Sequence, residues 1–325
     1  MMRALRQLAH RLALAAGLVL AVLAVNFTLI HAAPGDPAMV IAGEMGGADE
    51  AAMAEIRKAY GLDRPLAVQF VTYVGRSLQG DLGRSYLLNA PVLDLILARL
   101  GPTILLVLTA LLIAIVVGTL LGVLASRRPD SLFSGAVTVV SLVGYAMPVF
   151  WTAILLVLLF GKVWPILPIA GMRDVRLYGD AWVTALDVMH HLVLPATTLA
   201  IVYIAQYSRL ARASMLEVLG TDYIRTARAK GLGEGPVIFK HALRNALMPV
   251  VTIAGLQFGH LISGALLVET VFSWPGMGTL ALEAILGRDY PVLLGILTFS
   301  AILVIAANLL TDLSYRWLDP RLRGR

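Results

Sequence analysis

The chain has 325 residues, 59% of them hydrophobic and only 14% charged, where a soluble globular domain carries roughly 25% charged residues. So little polar surface cannot coat a body of this size in water, and the composition points to a membrane protein. A net charge of +6 on a soluble domain would suggest nucleic acid, but here the bases sit in short loops between apolar runs and no nucleic-acid partner is expected; the absence of cysteine excludes disulfides and thiol chemistry.

Residues 1–31 form a basic tail, with Arg3, Arg6 and Arg11, followed by a first apolar run from Leu12 to Ile30. The run is too long for the apolar region of a signal peptide, and Pro34 follows Ala32-Ala33, so the segment reads as a retained anchor. Residues 32–98 follow, with a helical-looking stretch at Asp49–Tyr60 and the turn-rich Gly61-Leu62-Asp63-Arg64-Pro65, expected to form a small extracytoplasmic cap. A five-helix core is expected over 99–317, with crossings at Leu100–Ser126, Ser131–Gly161, about Leu192–Ser208, Asn245–Val268 and Tyr290–Thr311. Pro148 should kink the second of these. A short tail, 318–325, ends the chain. The expected fold is all-α, polytopic, with about six transmembrane helices.

The loops assign orientation. Arg127 and Arg128, the run Arg209, Arg212, Arg225, Arg228, Lys230, Lys240 and Arg244, and the terminal Arg316, Arg321, Arg323 and Arg325 fall in alternate connections. The other connections are acidic or mixed. Basic loops face the cytoplasm, so both termini are expected there.

Chemistry is sparse. The sequence contains no G-x-x-x-x-G-K-[ST] phosphate loop, no H-E-x-x-H and no G-x-S-x-G. His190 and His191 are neighbours, and adjacent helix positions diverge by about 100°, so they cannot chelate one ion from one face; no metal site is expected. Between the fourth and fifth crossings, 209–245 contains Thr221-Asp222-Tyr223-Ile224-Arg225-Thr226-Ala227-Arg228-Ala229-Lys230-Gly231-Leu232. Thr221 or Asp222 can cap a short helix that Gly231 can end. Ala227 and Ala229 would let another backbone approach, and Arg225, Arg228 and Lys230 offer charge. Two readings stand side by side: a helix that fits a groove on a soluble partner, or an interfacial helix whose bases meet anionic membrane lipid.

This segment resembles the cytoplasmic coupling loop, the EAA loop, of ABC importer permeases, and in particular the dipeptide, oligopeptide and nickel permease family. Where the general pattern has Glu-Ala-Ala six residues before the glycine, Arg225-Thr226-Ala227 stands, and Pro249 lies further on than usual; both departures are typical of the peptide branch. The resemblance runs nearly end to end. It includes Pro34-Gly35-Asp36-Pro37, Gly61-Leu62-Asp63-Arg64-Pro65, Gly80-Asp81-Leu82-Gly83-Arg84-Ser85 and Arg212-Ala213-Ser214-Met215-Leu216-Glu217-Val218-Leu219. It continues through Glu269-Thr270-Val271-Phe272-Ser273-Trp274-Pro275-Gly276-Met277-Gly278, Arg288-Asp289-Tyr290-Pro291-Val292 and Asp319-Pro320-Arg321-Leu322-Arg323.

The resemblance implies the type I importer permease fold in a bacterial inner membrane. It implies a second permease, two cytoplasmic ATPases that bind the ATP and Mg, and an extracytoplasmic binding protein. The substrate class would be di- or oligopeptides, with nickel chelates, glutathione or another small solute as the alternative. Asp222, Tyr223, Arg225, Ala227, Arg228, Ala229, Lys230, Gly231 and Leu232 would couple the ATPases to the spans, and no catalytic residue or cofactor is expected in this chain.

Polar side chains within the spans are candidates for a translocation path: Ser141, Tyr145, Tyr203, Gln206, Tyr207, Gln257, His260 and Asn308. Each could instead be glue between helices. Glu269, near the outer end of its span beside Phe272 and Trp274 at interfacial depth, could stand at the rim of that path or simply face outer water. Gly255, Gly259 and Gly264 are read as allowing close helix packing. Two rivals rank far behind. An ion-coupled transporter would need charged residues at mid-membrane, and an intramembrane enzyme would have to rest on Ser263 beside His260.

Overall fold

In hydrocarbon every backbone N–H and C=O must be paired within its own segment, so long runs of Leu, Val, Ile and Ala become continuous helix. The computed structural model describes residues 2–32, 50–59, 63–176 and 179–318, and they are overwhelmingly helical. Helix α1 is Met2–Ala32, α2 Glu50–Ala59, α3 Leu66–Leu78 and α4 Val92–Arg127. Next come α5 Leu132–Ala146, α6 Val149–Leu158 with a π-helical turn Leu159–Val163, α7 Ala181–Leu219 and α8 Asp222–Ala229. One helical turn, Glu234–Pro236, runs through π-helical Val237–Ala242 into α9, Leu243–Val271; α10 is Met277–Leu286 and α11 Tyr290–Leu318. The motifs at Pro34–Pro37, Gly61-Leu62 and Asp319–Arg323 lie outside the described residues.

Among the described residues four helical stretches are long and apolar enough to cross a bilayer: Val92–Arg127, Ala181–Leu219, Glu234–Ala254 and Tyr290–Leu309. Ala13–Leu29 is a shorter apolar helical stretch. The segment expected as one kinked crossing, Ser131–Gly161, is bent far more sharply than a kink. It is two helices, α5 and α6 with its π turn, inclined at 104°. Pro148 lacks an N–H and drives the residue before it out of the helical region; Met147 is extended at φ −77°, ψ 129°, so the chain breaks rather than kinks. A second correction concerns α7. At 39 residues it spans about 58 Å, and it runs eleven residues past the expected end at Ser208, through Arg209 and Arg212, to Leu219.

The chain divides into two compact units, Met1–Gly101 with Leu280–Ala306, and Pro102–Thr279 with Ala307–Arg325. In the first, α3 stands beside α1. Phe27 meets Phe70 edge to face at 5.3 Å between ring centroids, and Asn26 Nδ2 donates to Thr298 Oγ1 at 3.0 Å. Two of the sequence motifs also meet there. Asp289, buried, accepts from Ser85 Oγ and from the backbone N–H groups of Tyr86 and Leu87, and Leu88 N–H donates to Ser85 Oγ at 2.9 Å.

In the second unit α4 and α7 lie against each other through Gly118 and Gly122. A methyl group on Gly122 would sit 2.5 Å from the Ser208 carbonyl oxygen, and one on Gly118 2.7 Å from Tyr207 Cβ. This small-xxx-small spacing lets two backbones approach as side chains would not. The side chains of Gly255, Gly259 and Gly264, given that packing role from sequence, lie outside the described residues.

Candidate coupling surface and translocation face

Helix α8 is short and would not hold its shape alone in water. Its ends are set by local chemistry. Thr221 occupies the N-cap position, but its hydroxyl donates to Val218 O at 2.6 Å instead of capping the helix. At the other end Gly231 takes φ +80°, which a residue with a Cβ adopts only under strain. Gly231 N–H then donates to Arg228 O at 2.9 Å and Leu232 N–H to Ala227 O at 3.4 Å, the paired bonds of a Schellman ending.

One face of α8 supplies the rest of its stability. Ile224 is fully buried and Ala227 nearly so, in a cluster with Val123 of α4, Met215 of α7, Val237, Ile238 and Ala242 of the π segment, and Ala246 of α9. Burying an isoleucine is worth about 1.5–3 kcal/mol. Ala227 is therefore corrected: it was expected on the face offered to a partner, and it packs inward, because it lies three residues from Ile224 on the same helical face. Ile224 was missed, although it is the one large aliphatic residue of the octapeptide Asp222–Ala229.

The opposite face is open. Asp222, Tyr223, Arg225, Arg228, Ala229, Lys230, Gly231 and Leu232 are exposed. Asp222 pairs with Arg225 at 3.2 Å, and Asn245 Nδ2 donates to the Tyr223 hydroxyl at 2.7 Å. Arg228 binds Glu234 through Nε at 2.8 Å and Nη2 at 3.3 Å, tying the end of α8 to the turn that opens the next span. That hydrogen-bonded guanidinium holds the Glu234 carboxyl below its ordinary range.

The path candidates separate by burial. Tyr145 and Asn308 are exposed, and Tyr203, Gln206 and Gln257 keep part of their surface. Ser141 is buried, and Tyr207 is fully enclosed, its Cβ beside Gly118. The side chains of His260 and Ser263 lie outside the described residues. His190 and His191 rings stand at 83°, and His191 is turned to Asp187, with Nδ1 3.2 Å from its carboxylate.

Comparison with known proteins now decides the family. A model of binding-protein-dependent transport system inner membrane components matches residues 114–324, and the N-terminal model of the same components matches residues 4–109. The chain belongs to this permease family. It is 39% identical over 334 residues to the dipeptide transport system permease protein DppB of Escherichia coli K12, covering 97% of this chain and 98% of that one. It is 42% identical over 330 residues to the di/tripeptide permease protein DppB of Pseudomonas aeruginosa, covering 97% and 98%. To the oligopeptide permease protein AppB of Bacillus subtilis it is 39% identical over 307 residues, covering 94% and 95%. A solved structure of the MetNI methionine ABC transporter in an inward-facing conformation has the same fold, with TM-score 0.55 and 18% identity over 69% of this chain and 96% of that one.

The permease's Glu269 is also corrected. It neither faces outer water nor offers surface to a path, because it is fully buried. Its carboxylate accepts from Thr103 Oγ1 at 2.6 Å, Gly278 N–H at 2.6 Å and Thr279 N–H at 3.3 Å, while Thr103 Oγ1 accepts from Met277 N–H at 2.8 Å. The first three N–H groups of α10, which no helical carbonyl can reach, are thus satisfied by two side chains from α4 and α9. The glycines of the motif follow from this. A methyl on Gly276 would overlap the Glu269 carboxylate, and one on Gly278 would lie 2.5 Å from Leu266 Cα and 2.8 Å from Glu269 Oε2. Phe272 and Trp274, expected at the membrane interface, are buried too; Trp274 Nε1 donates to Pro102 O at 2.9 Å, and Gly171 N–H donates to Phe272 O at 2.8 Å.

Proposed function

We propose that the chain is one membrane half of an ATP-driven, binding-protein-dependent importer of di- and oligopeptides. A second, similar permease completes the path, an extracytoplasmic binding protein delivers the substrate, and two ATPases dock inside and bind the ATP and Mg. Both termini lie in the cytoplasm, and the chain itself performs no chemistry.

The observation that carries this reading is the division of α8 into two faces. Ile224 and Ala227 fix it to three spans of its own chain, and Asp222, Tyr223, Arg225, Arg228, Ala229 and Lys230 remain open to a partner. A purely interfacial helix would turn its apolar residues to lipid; here they face protein. The peptide substrate is supported by relatives that are dipeptide, di/tripeptide and oligopeptide permeases along nearly their whole length.

The test is reconstitution of the complex in proteoliposomes. Loaded binding protein should stimulate ATP hydrolysis and drive dipeptide uptake, and Gly231→Trp should release the ATPases. Uptake that continues with no ATPase present would refute the assignment.

A further inference from the structure

We propose that the Arg209 guanidinium, held over the ring of Tyr145, is a docking point for the terminal carboxylate of the transported peptide. The proposal rests on the peptide-importer reading above and assigns a role within that path.

Arg209 and Arg212 lie one turn apart on α7, about 4.5 Å along its axis, yet their side chains part company. Arg212 Nε donates to Ser134 Oγ at 3.1 Å and Nη2 to Pro129 O at 3.5 Å, at the start of α5 beside the basic link Arg127-Arg128. The Cζ of Arg209 lies 4.9 Å from the ring centroid of Tyr145, in the last turn of α5. From Ser134 to Tyr145 is eleven residues, about 16 Å along a helix. Arg212 reaches back to the charged end of the bundle, as a basic residue at a membrane surface does. Arg209 reaches the other way, towards the break at Pro148.

Arginine cannot shed its charge in a protein. The Arg209 side chain turns this fixed charge back along α5, away from the basic link that holds Arg212, and leaves it exposed. Among the described residues no carboxylate, carbonyl or hydroxyl forms a hydrogen bond or ion pair with Arg209, whose guanidinium lies over the face of Tyr145. A ring beneath a guanidinium steadies the charge but uses none of its five in-plane N–H donors. Those donors form the fork that takes a carboxylate through two parallel bonds. Both side chains are exposed, Tyr145 to 56%. The neighbouring path candidates Tyr203, Gln206 and Gln257 are neutral, so an arriving carboxylate would be the local anion. Every unmodified peptide carries one, whatever its side chains, so recognition here suits import of many sequences.

The bland alternative is that Arg209 only neutralises the negative end of the α5 dipole. Substrate chemistry separates the two. In the complete complex, uptake of trialanine and of trialanine amide is measured, each at a concentration that saturates the binding protein. The wild type should take up the free acid about tenfold faster than the amide, and Arg209→Gln should bring that ratio to about one, since a bidentate ion pair is lost. Arg209→Lys, which keeps the charge without the fork, should retain an intermediate ratio. A wild type with no preference, or an Arg209→Gln protein whose preference is intact, overturns the proposal. Should Arg209→Gln take up neither peptide, Arg209→Lys decides: preference kept supports recognition, and loss of both overturns it. A wild-type complex that transports neither peptide overturns the peptide reading as well, whereas the Arg209 outcomes bear on this residue alone.

Discussion

Replacing Gly276 with alanine tests whether the Glu269 carboxylate holds α10 in place. Glu269→Ala leaves the Thr103 hydroxyl and the Gly278 and Thr279 N–H groups without their acceptor in a buried site. Each such loss costs about 1–3 kcal/mol. The Thr279 bond is long and the hydroxyl can rotate, so the single variant should lose roughly 3–5 kcal/mol. In Gly276→Ala the added methyl overlaps the same carboxylate and must push it from its donors, which should cost about 2–4 kcal/mol. In Glu269→Ala the three atoms nearest to that methyl are gone. In Glu269→Ala the Gly276→Ala change should therefore cost less than about 1 kcal/mol, giving a coupling energy near 2 kcal/mol. Reversible unfolding in mixed micelles, run on all four proteins of the cycle, measures it. Costs that add to within about 0.5 kcal/mol would mean the glycine answers to something other than Glu269.

Other changes probe the remaining features. Gly122→Leu should drive α4 from α7 and lower the thermal midpoint more than Gly101→Leu, because Gly122 meets the Ser208 carbonyl and Gly101 meets nothing within 4 Å; equal shifts would argue against close packing there. Gly231→Ala has open space around it but a left-handed φ, so it should lose about 1–2 kcal/mol from the α8 ending, read as weaker stimulation of ATP hydrolysis, with Gly231→Asn milder. The Arg228 bond lowers the Glu234 carboxyl, so the pair is complete above the ordinary glutamate value of 4.5 and is lost only as pH falls through the lowered one. ATPase stimulation should then show no inflection from this pair between about pH 6 and 8, and one that Glu234→Gln abolished would contradict the assignment.

The helices were legible wherever apolar runs were long and unbroken, and the end of α8 was legible because Gly231 marks it locally. The ending of α7 was not. Arg209 and Arg212 close the apolar run, yet Ala, Leu, Met and Glu around them favour helix, and a helix may leave the hydrocarbon without unwinding. Which way a lone polar side chain faces was also hidden. Ser141, Tyr207 and Glu269 look open in one dimension, and all three are buried in this chain by neighbours distant in sequence, Gly118 beside Tyr207 and Thr103 bonded to Glu269. Two signals were present and unread. Gly118-Thr119-Leu120-Leu121-Gly122 has the spacing of close-packed spans, and Gly276 and Gly278 after an acidic residue have the smallness a buried carboxylate demands.

Anchorage decides how far a load on α8 can travel. If Ile224 packed against one span, an ATPase closing on the helix would tilt that span alone. Its cluster instead joins Val123 of α4, Met215 of α7 and Ala246 of α9, so a displacement of α8 bears on three spans together. Packed interiors compress little, and two of those spans are already in near-backbone contact at Gly122 and Ser208. The three should therefore move as a body. Ile224→Ala would leave every exposed residue of α8 unchanged, so the ATPases should still bind while peptide transported per ATP falls. Loss of ATPase binding in that variant would mean that Ile224 shapes the docking face, and unchanged transport per ATP would mean that the load enters the spans elsewhere.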